Sequence, residues 1–207
     1  AGKEVVFSSL AEVVSTTDRK CLENVADNGD FLVEANDMSA LWHLDGRPFA
    51  AGPFLNVYNE DTLEFLAGKG ALHITLPPEM PGSAITALIE KAKQLKLTLE
   101  VQVYGRIPLA LSARCYHARA HGLNKDSCNY VCDQDPDGMV LRTLEQRPFL
   151  VINGIQTLSY TCLNLIREMI SLADAGIDAF RLSPHSNDTV AVANIYRSCL
   201  SGGMAAD

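Results

Sequence analysis

Short apolar runs of extended character alternate along the chain with stretches whose apolar residues recur at helical spacing. The extended candidates are Glu4–Ser8, Phe31–Ala35, Phe49–Leu55, Ala71–Leu76, Thr98–Tyr104, Phe149–Asn153 and Ala179–Leu182. Between them the pattern predicts helices over Asp18–Asp27, Asp37–Asp45, Asp61–Gly68, Ser83–Leu95, Ser159–Ala175 and Thr189–Leu200. Thr17 or Asp18, Asn36 and Asn59 are expected as helix caps, and Gly176 stands where the fifth helix should end. Strand and helix in alternation are the mark of βαβ units around a parallel sheet. The stretch Cys115–Arg147 breaks that rhythm. It is dense in Cys, His, Asn, Asp, Pro and Gly, and Asp135-Pro136-Asp137-Gly138 is a turn signal. Beyond it, Met139–Thr143 and Phe149–Ile152 read as a local hairpin.

Polar residues follow the apolar core of nearly every strand candidate. Glu34, Asn56, Tyr104, Arg106, Asn153 and Arg181 sit at or near the C-terminal ends of five different strands. In a (β/α) barrel those ends make one rim, where binding and catalytic groups collect. An open doubly wound sheet concentrates its site at a switch point instead. These six residues are therefore the expected substrate-binding set, with no single one assigned a catalytic role. Charges beside apolar strands, such as Glu34, Glu79, Arg106 and Arg181, need partners, whereas Asn36 and Asn59 are accounted for by capping alone. Neither GxGxxG nor a Walker P-loop is present. Seven strand candidates fall short of eight, and the chain opens directly into the extended segment Val5–Phe7. The expected fold is thus α/β, a TIM-barrel-like single domain over 1–207 that lacks its first one or two βα units and carries a cysteine-bearing insertion at about 112–147.

Composition narrows the partners. The 207 residues are 47% hydrophobic and 20% charged, the balance of a globular chain. A net charge of −8 disfavours binding to a phosphate backbone, so no nucleic acid partner is expected. No apolar run approaches the ~18 residues of a membrane span, and AGKEVVFSSL is not a signal peptide. A cytoplasmic location is expected.

Six cysteines are present, and Cys115, Cys128 and Cys132 fall within eighteen residues. In a reducing compartment clustered thiols are more often metal ligands than disulfides, and thiolates hold both structural zinc and iron–sulfur clusters. Cys162 and Cys199 lie in stretches read as apolar helix and are expected as small core residues, while Cys21 is undecided. His117 and His121 are four apart and could face one way on a helix, and Cys115 with His117 and Cys128 with Cys132 could then bind zinc. His43, His73 and His185 read as surface or structural groups, and no HExxH or GxSxG motif accompanies any histidine.

The run Tyr104-Gly105-Arg106-Ile107-Pro108-Leu109-Ala110-Leu111-Ser112-Ala113-Arg114-Cys115-Tyr116, with Lys125-Asp126 before Cys128, resembles the collagenase-like peptidase family U32. So do Val33–Asp37, Gly52–Asn59, Phe149–Thr157 and Arg181–Pro184. Within the family the sequence is most similar to members that serve ubiquinone biosynthesis. That resemblance implies a TIM-barrel-like fold and a [4Fe–4S] cluster with Cys115, Cys128 and Cys132 as three of its ligands. The family's fourth cysteine is expected in an N-terminal segment ahead of Ala1. The resemblance further implies a heterodimer with a UbiU-like family member and a UbiT-like lipid-binding accessory protein. The implied activity is oxygen-independent hydroxylation of the quinone ring, with a quinone precursor and prephenate as substrates. The family name supplies a peptidase as the alternative, and the bare cysteine pattern supplies another, a zinc-stapled scaffold without catalysis.

Overall fold

A computed structural model describes Gly2–Gly202. These residues form two compact units. The first consists of the chain up to Gln102 together with Ser171–Arg181, the second of Val103–Ile170 and the chain from Leu182 onward. Both mix strands and helices, so the protein is of the mixed α/β class.

In the first unit, β1 (Val6–Ser8), β2 (Leu32–Ala35), β3 (Phe49–Ala51), β4 (Ala71–Thr75) and the first half of β5 (Thr98–Leu111) pair in that order, each parallel to the next. β9 (Ala179–Leu182) also pairs with β5. The helices α1 (Thr16–Ala26), α2 (Met38–Leu44), α3 (Glu60–Gly68) and α4 (Gly82–Leu95) separate the first five strands, the arrangement that the alternation predicts. Parallel neighbours need such crossovers, because a short turn cannot return the chain to the same end of a sheet. Leu63 and Leu66 of α3, and Leu88, Ile89 and Ala92 of α4, are buried together with Phe49, Ile74 and Leu99 of the strands. Burying a side chain of that size contributes roughly 1.5–3 kcal/mol.

Capping explains two shifts of boundary. Ser15 rather than Thr17 or Asp18 starts α1; its hydroxyl accepts from Asp18 N (3.0 Å), and the Asp18 carboxylate accepts from Ser15 N (2.9 Å) in a capping box. Asp37 rather than Asn36 caps α2, accepting from Ser39 N at 2.8 Å, which frees Asn36 to turn inward. Asn59 caps α3 as expected, accepting from Thr62 N at 2.9 Å. The strand predicted over Phe49–Leu55 stops at Ala51, because Pro53 opens a 3-10 turn that ends at Leu55.

In the second unit the chain departs from the parallel expectation. The second half of β5, β8 (Gln156–Asn164), β7 (Pro148–Asn153) and β6 (Met139–Arg142) form an antiparallel meander. The β6–β7 hairpin is the one anticipated, with Met139 opposite Ile152. The helix predicted over Ser159–Ala175 is instead the strand β8 followed by a short helix, α6 (Met169–Ala175). Two local signals settle the outcome. A two-residue loop, Gly154–Ile155, joins the paired residues Asn153 and Gln156, with Gly154 at φ +59°, a position that favours glycine. Thr157, Tyr160 and Thr161 then favour the pleated surface. β5 itself runs to Leu111, past its predicted end, because β8 supplies a partner along this half. The register shifts on both sides of Pro108, which has no N–H to donate. The helices α5 (Tyr116–Ala120) and α7 (Thr189–Leu200) belong to this unit, whereas α6 from Ser171 onward belongs to the first, and Asp188 caps α7. Among the described residues no helix is long and apolar enough to cross a membrane.

Candidate functional site

In the first unit the polar residues of the parallel strands converge on one guanidinium. Parallel register places Ser8, Glu34, Ala50 and His73 in a single row across β1 to β4, and Thr75 is paired with Glu100 on β5. Only the methyl group of Ala50 stands between Glu34 and His73 in that row. Arg181 of β9 enters here. Its Nη2 donates to Glu34 Oε2 and, at 3.1 Å, to Thr75 Oγ1; its Nη1 donates to Glu34 Oε1 at 3.3 Å; and its Nε donates to Glu100 Oε1. Glu100 also accepts from Thr75 Oγ1 at 3.0 Å and lies 3.4 Å from His73 Nε2. Glu34 further accepts from Ser8 Oγ and from Asn36 Nδ2, each at 3.1 Å.

Burial works to raise both carboxyls, and their partners outweigh it. Arg181, Asn36 and Ser8 hold Glu34 below the ordinary carboxylate range. His73 and Arg181 hold Glu100 at about 2. Desolvation likewise works against the charge on Arg181, and the two carboxylates restore it and raise its pKa further. Both glutamates are thus anions at neutral pH, and the guanidinium is committed to them. Asn36 is 4% exposed and completes the corner: its Nδ2 donates to Ser8 Oγ (2.9 Å), its N–H donates to Ser9 Oγ (2.9 Å), and its Oδ1 has no hydrogen-bond donor among the described residues. A Cβ on Gly52 would lie 2.0 Å from that Oδ1, so this approach requires glycine.

Of the six expected pocket residues, Glu34 and Arg181 are bonded directly to one another. Asn56 belongs to the same unit but is exposed, ending the Pro53–Leu55 turn at φ +57°. Nearby, Tyr58 donates to Glu79, whose hydrogen bond and charge, together with burial, push the phenol up to about 12. Tyr104, Arg106 and Asn153 lie in the second unit. The Tyr104 hydroxyl accepts from Asn187 Nδ2 at 2.7 Å. Arg106 donates to the carbonyls of Ser159 and Tyr160 and stacks over the Tyr160 ring. Asn153 closes the β7–β8 hairpin.

The thiol-rich segment belongs to the second unit. Cys115 is buried and caps α5, its Sγ accepting from Ala118 N at 3.4 Å. Cys128 and Cys132 are half-buried. Between them Asn129 and Tyr130 both take positive φ, 48° and 57°, which turns the backbone sharply. Desolvation pushes the Cys132 thiol up, and the charges of Asp133, Cys115 and Cys128 push the same way. Alongside them, His117 is fully buried, with Nε2 3.0 Å from Asp135 Oδ2. The His121 ring stacks on it at 5.5 Å, its own Nε2 4.0 Å from the same oxygen. Donor atoms of His117, His121 and Asp135 lie within 4.8 Å of one another, a spacing one cation can occupy. The sequence pairs His117 with thiols and gives no sign of Asp135 beyond its place in a turn. Cys199 is buried as expected, whereas Cys162, expected in a helical core, lies exposed on β8 with its Sγ 3.4 Å from His185 Nε2.

A mixed α/β protein with an ion-paired cluster on parallel strands and a thiol-bearing loop before an antiparallel meander is the class defined by these features. The model of peptidase family U32 matches residues 23–206, and the chain belongs to that family. No solved structure matches the chain.

Proposed function

We propose that the chain is a UbiV-like iron–sulfur component of an oxygen-independent ring hydroxylation in ubiquinone biosynthesis, with a TIM-barrel-like fold and a UbiU-like partner. The observation that supports this reading is that Cys115, Cys128 and Cys132 fall within eighteen residues of one segment, inside the U32 match. The donor set fits the group: thiolates are the usual ligands of a [4Fe–4S] cluster. Cys115, Cys128 and Cys132 would hold it, with a fourth thiolate expected from a segment ahead of Ala1. When bound, the cluster supplies one-electron chemistry that no side chain offers. The chain's own contribution is positional. The α5 cap fixes Cys115, the turn at Asn129 and Tyr130 brings the chain around between Cys128 and Cys132, and burial of Cys115 limits access of water.

The test is anaerobic purification of the protein with its native N-terminus, followed by assay of iron, acid-labile sulfide and zinc. About four irons and four sulfides per chain are expected, falling to near zero in Cys128→Ala, which also loses quinone formation without oxygen. Wild-type protein free of iron and sulfide overturns the reading. A second reading, a zinc-stapled scaffold, is favoured by the His117, His121 and Asp135 group. One zinc per chain without iron, lost in His121→Ala, would establish it.

A further inference from the structure

The arrangement around Cys162 belongs to neither constellation. Its Sγ is 3.4 Å from His185 Nε2, and the other face of that imidazole, Nδ1, is 3.5 Å from Asp137 Oδ1. We infer that Cys162 is a nucleophilic thiol, with His185 as its proton acceptor and Asp137 as the group that orients the imidazole, and that it accepts acyl groups from activated esters and thioesters.

Nucleophile, base and orienting carboxylate follow one another across the ring, which is the arrangement of a nucleophilic triad. A metal site would need the donors to converge on one point, and here sulfur and carboxylate sit on opposite sides of the imidazole. The carboxylate beside Nδ1 favours the tautomer that carries its proton there, leaving the Nε2 lone pair facing sulfur. Asp137 is itself fixed: it accepts from Ser186 N at 2.8 Å and from the Ser186 hydroxyl. The imidazole is fixed from a third side by the Tyr104 ring, edge-on at 6.0 Å, and Asn187 ties the same tyrosine down. On β5, Arg106 is the register partner of Cys162, and its guanidinium is taken up by the Ser159 and Tyr160 carbonyls. Cys162 is exposed, so a donor can reach it.

In the reaction the Cys162 S–H proton passes to His185 Nε2 as sulfur attacks the acyl carbon. The S–C bond forms, the C–O or C–S bond of the donor breaks, and the proton leaves with the departing alcohol or thiol. Activated donors need least help from the protein at the carbonyl oxygen, which sets the substrate class.

Cys21, the other exposed cysteine, is an internal reference. Anaerobically purified protein is treated with p-nitrophenyl acetate at one fixed pH, and acetylation is read at each cysteine by peptide mass spectrometry. Cys162 is expected to acetylate at least about tenfold faster than Cys21. His185→Gln should bring Cys162 down to the Cys21 rate while leaving Cys21 unchanged, and Asp137→Asn should fall between. Equal rates at Cys162 and Cys21 in the wild type overturn the inference, whatever the folding of the variants. So does a His185→Gln protein with native far-UV circular dichroism and undiminished Cys162 acetylation.

Discussion

Arg181 and Glu34 stand 147 positions apart in the chain, yet both terminal nitrogens of the arginine donate to that one carboxylate. The Glu34 side chain is 8% exposed and that of Arg181 29%, so the pair is largely removed from water. Removing Glu34 leaves the largely buried Arg181 with Glu100 as its remaining counter-charge among the described residues. Glu34→Gln is therefore expected to destabilise the protein by about 3 kcal/mol, read from the midpoint of urea unfolding at constant slope. A loss below about 1 kcal/mol, the range of exposed pairs, would show that Glu100 and water suffice to hold the Arg181 charge.

Acid should dismantle the same cluster over a defined range. Glu100 has a folded pKa of about 2 against an unfolded value near 4.5, and Glu34 is also depressed. A depressed carboxylate contributes stability that is fully present above the unfolded value and is lost as pH falls through the folded one. For Glu100 that contribution is on the order of 3 kcal/mol. The stability gap between wild type and Glu100→Gln should thus be widest above pH 4.5 and should close toward pH 2. A gap that stays constant across this range would contradict the assignment.

Gly52 tests the corner beside Glu34. Its φ is −76°, so alanine is free of backbone strain there and acts only through the clash of its methyl with Asn36 Oδ1. Gly52→Ala is expected to cost about 1–3 kcal/mol, the usual range for overpacking. In the Asn36→Ala background the same change should cost little, giving a coupling energy well above additive error in a double-mutant cycle. Additive costs would place the source of the strain elsewhere.

Tyr58 offers a spectroscopic check. With Glu79 beside it the phenol titrates at about 12. Difference absorbance near 295 nm, with Tyr58→Phe identifying the transition, should show a late-titrating tyrosine that returns toward 10 in Glu79→Gln. An unchanged titration in that variant would remove Glu79 as the cause.

The parallel half of the fold was legible because each strand there is followed by a capped amphipathic helix, a signal carried within some twenty residues. Glu34 and Arg181 were legible as charges needing partners, but nothing local says that they partner each other. The strand β8 was not legible: Leu163, Ile166, Ile170 and Leu172 satisfy a helical period, and its competing evidence is the pairing with β5 and β7. Asn36 was read as a cap because capping is the commonest use of asparagine before a helix, and Asp37 one position later took that role. His185 reads as a surface or structural group and Asp137 as part of a turn, because the two are 48 positions apart and nothing local pairs them.

The β6–β7–β8 meander also bears on the order in which the chain organises itself. Its pairings span only Met139 to Asn164, with a two-residue loop at Gly154–Ile155. Hairpins of that kind close in about 1–10 μs, and short closures cost little chain entropy. Glu34 must wait for a residue 147 positions downstream. In pulse-labelled hydrogen exchange the amides of β7 and β8 should therefore gain protection ahead of those of β2. On a ribosome, Glu34 cannot complete its ion pair until Arg181 has emerged, so the amino-terminal strands gain that contribution only late in synthesis.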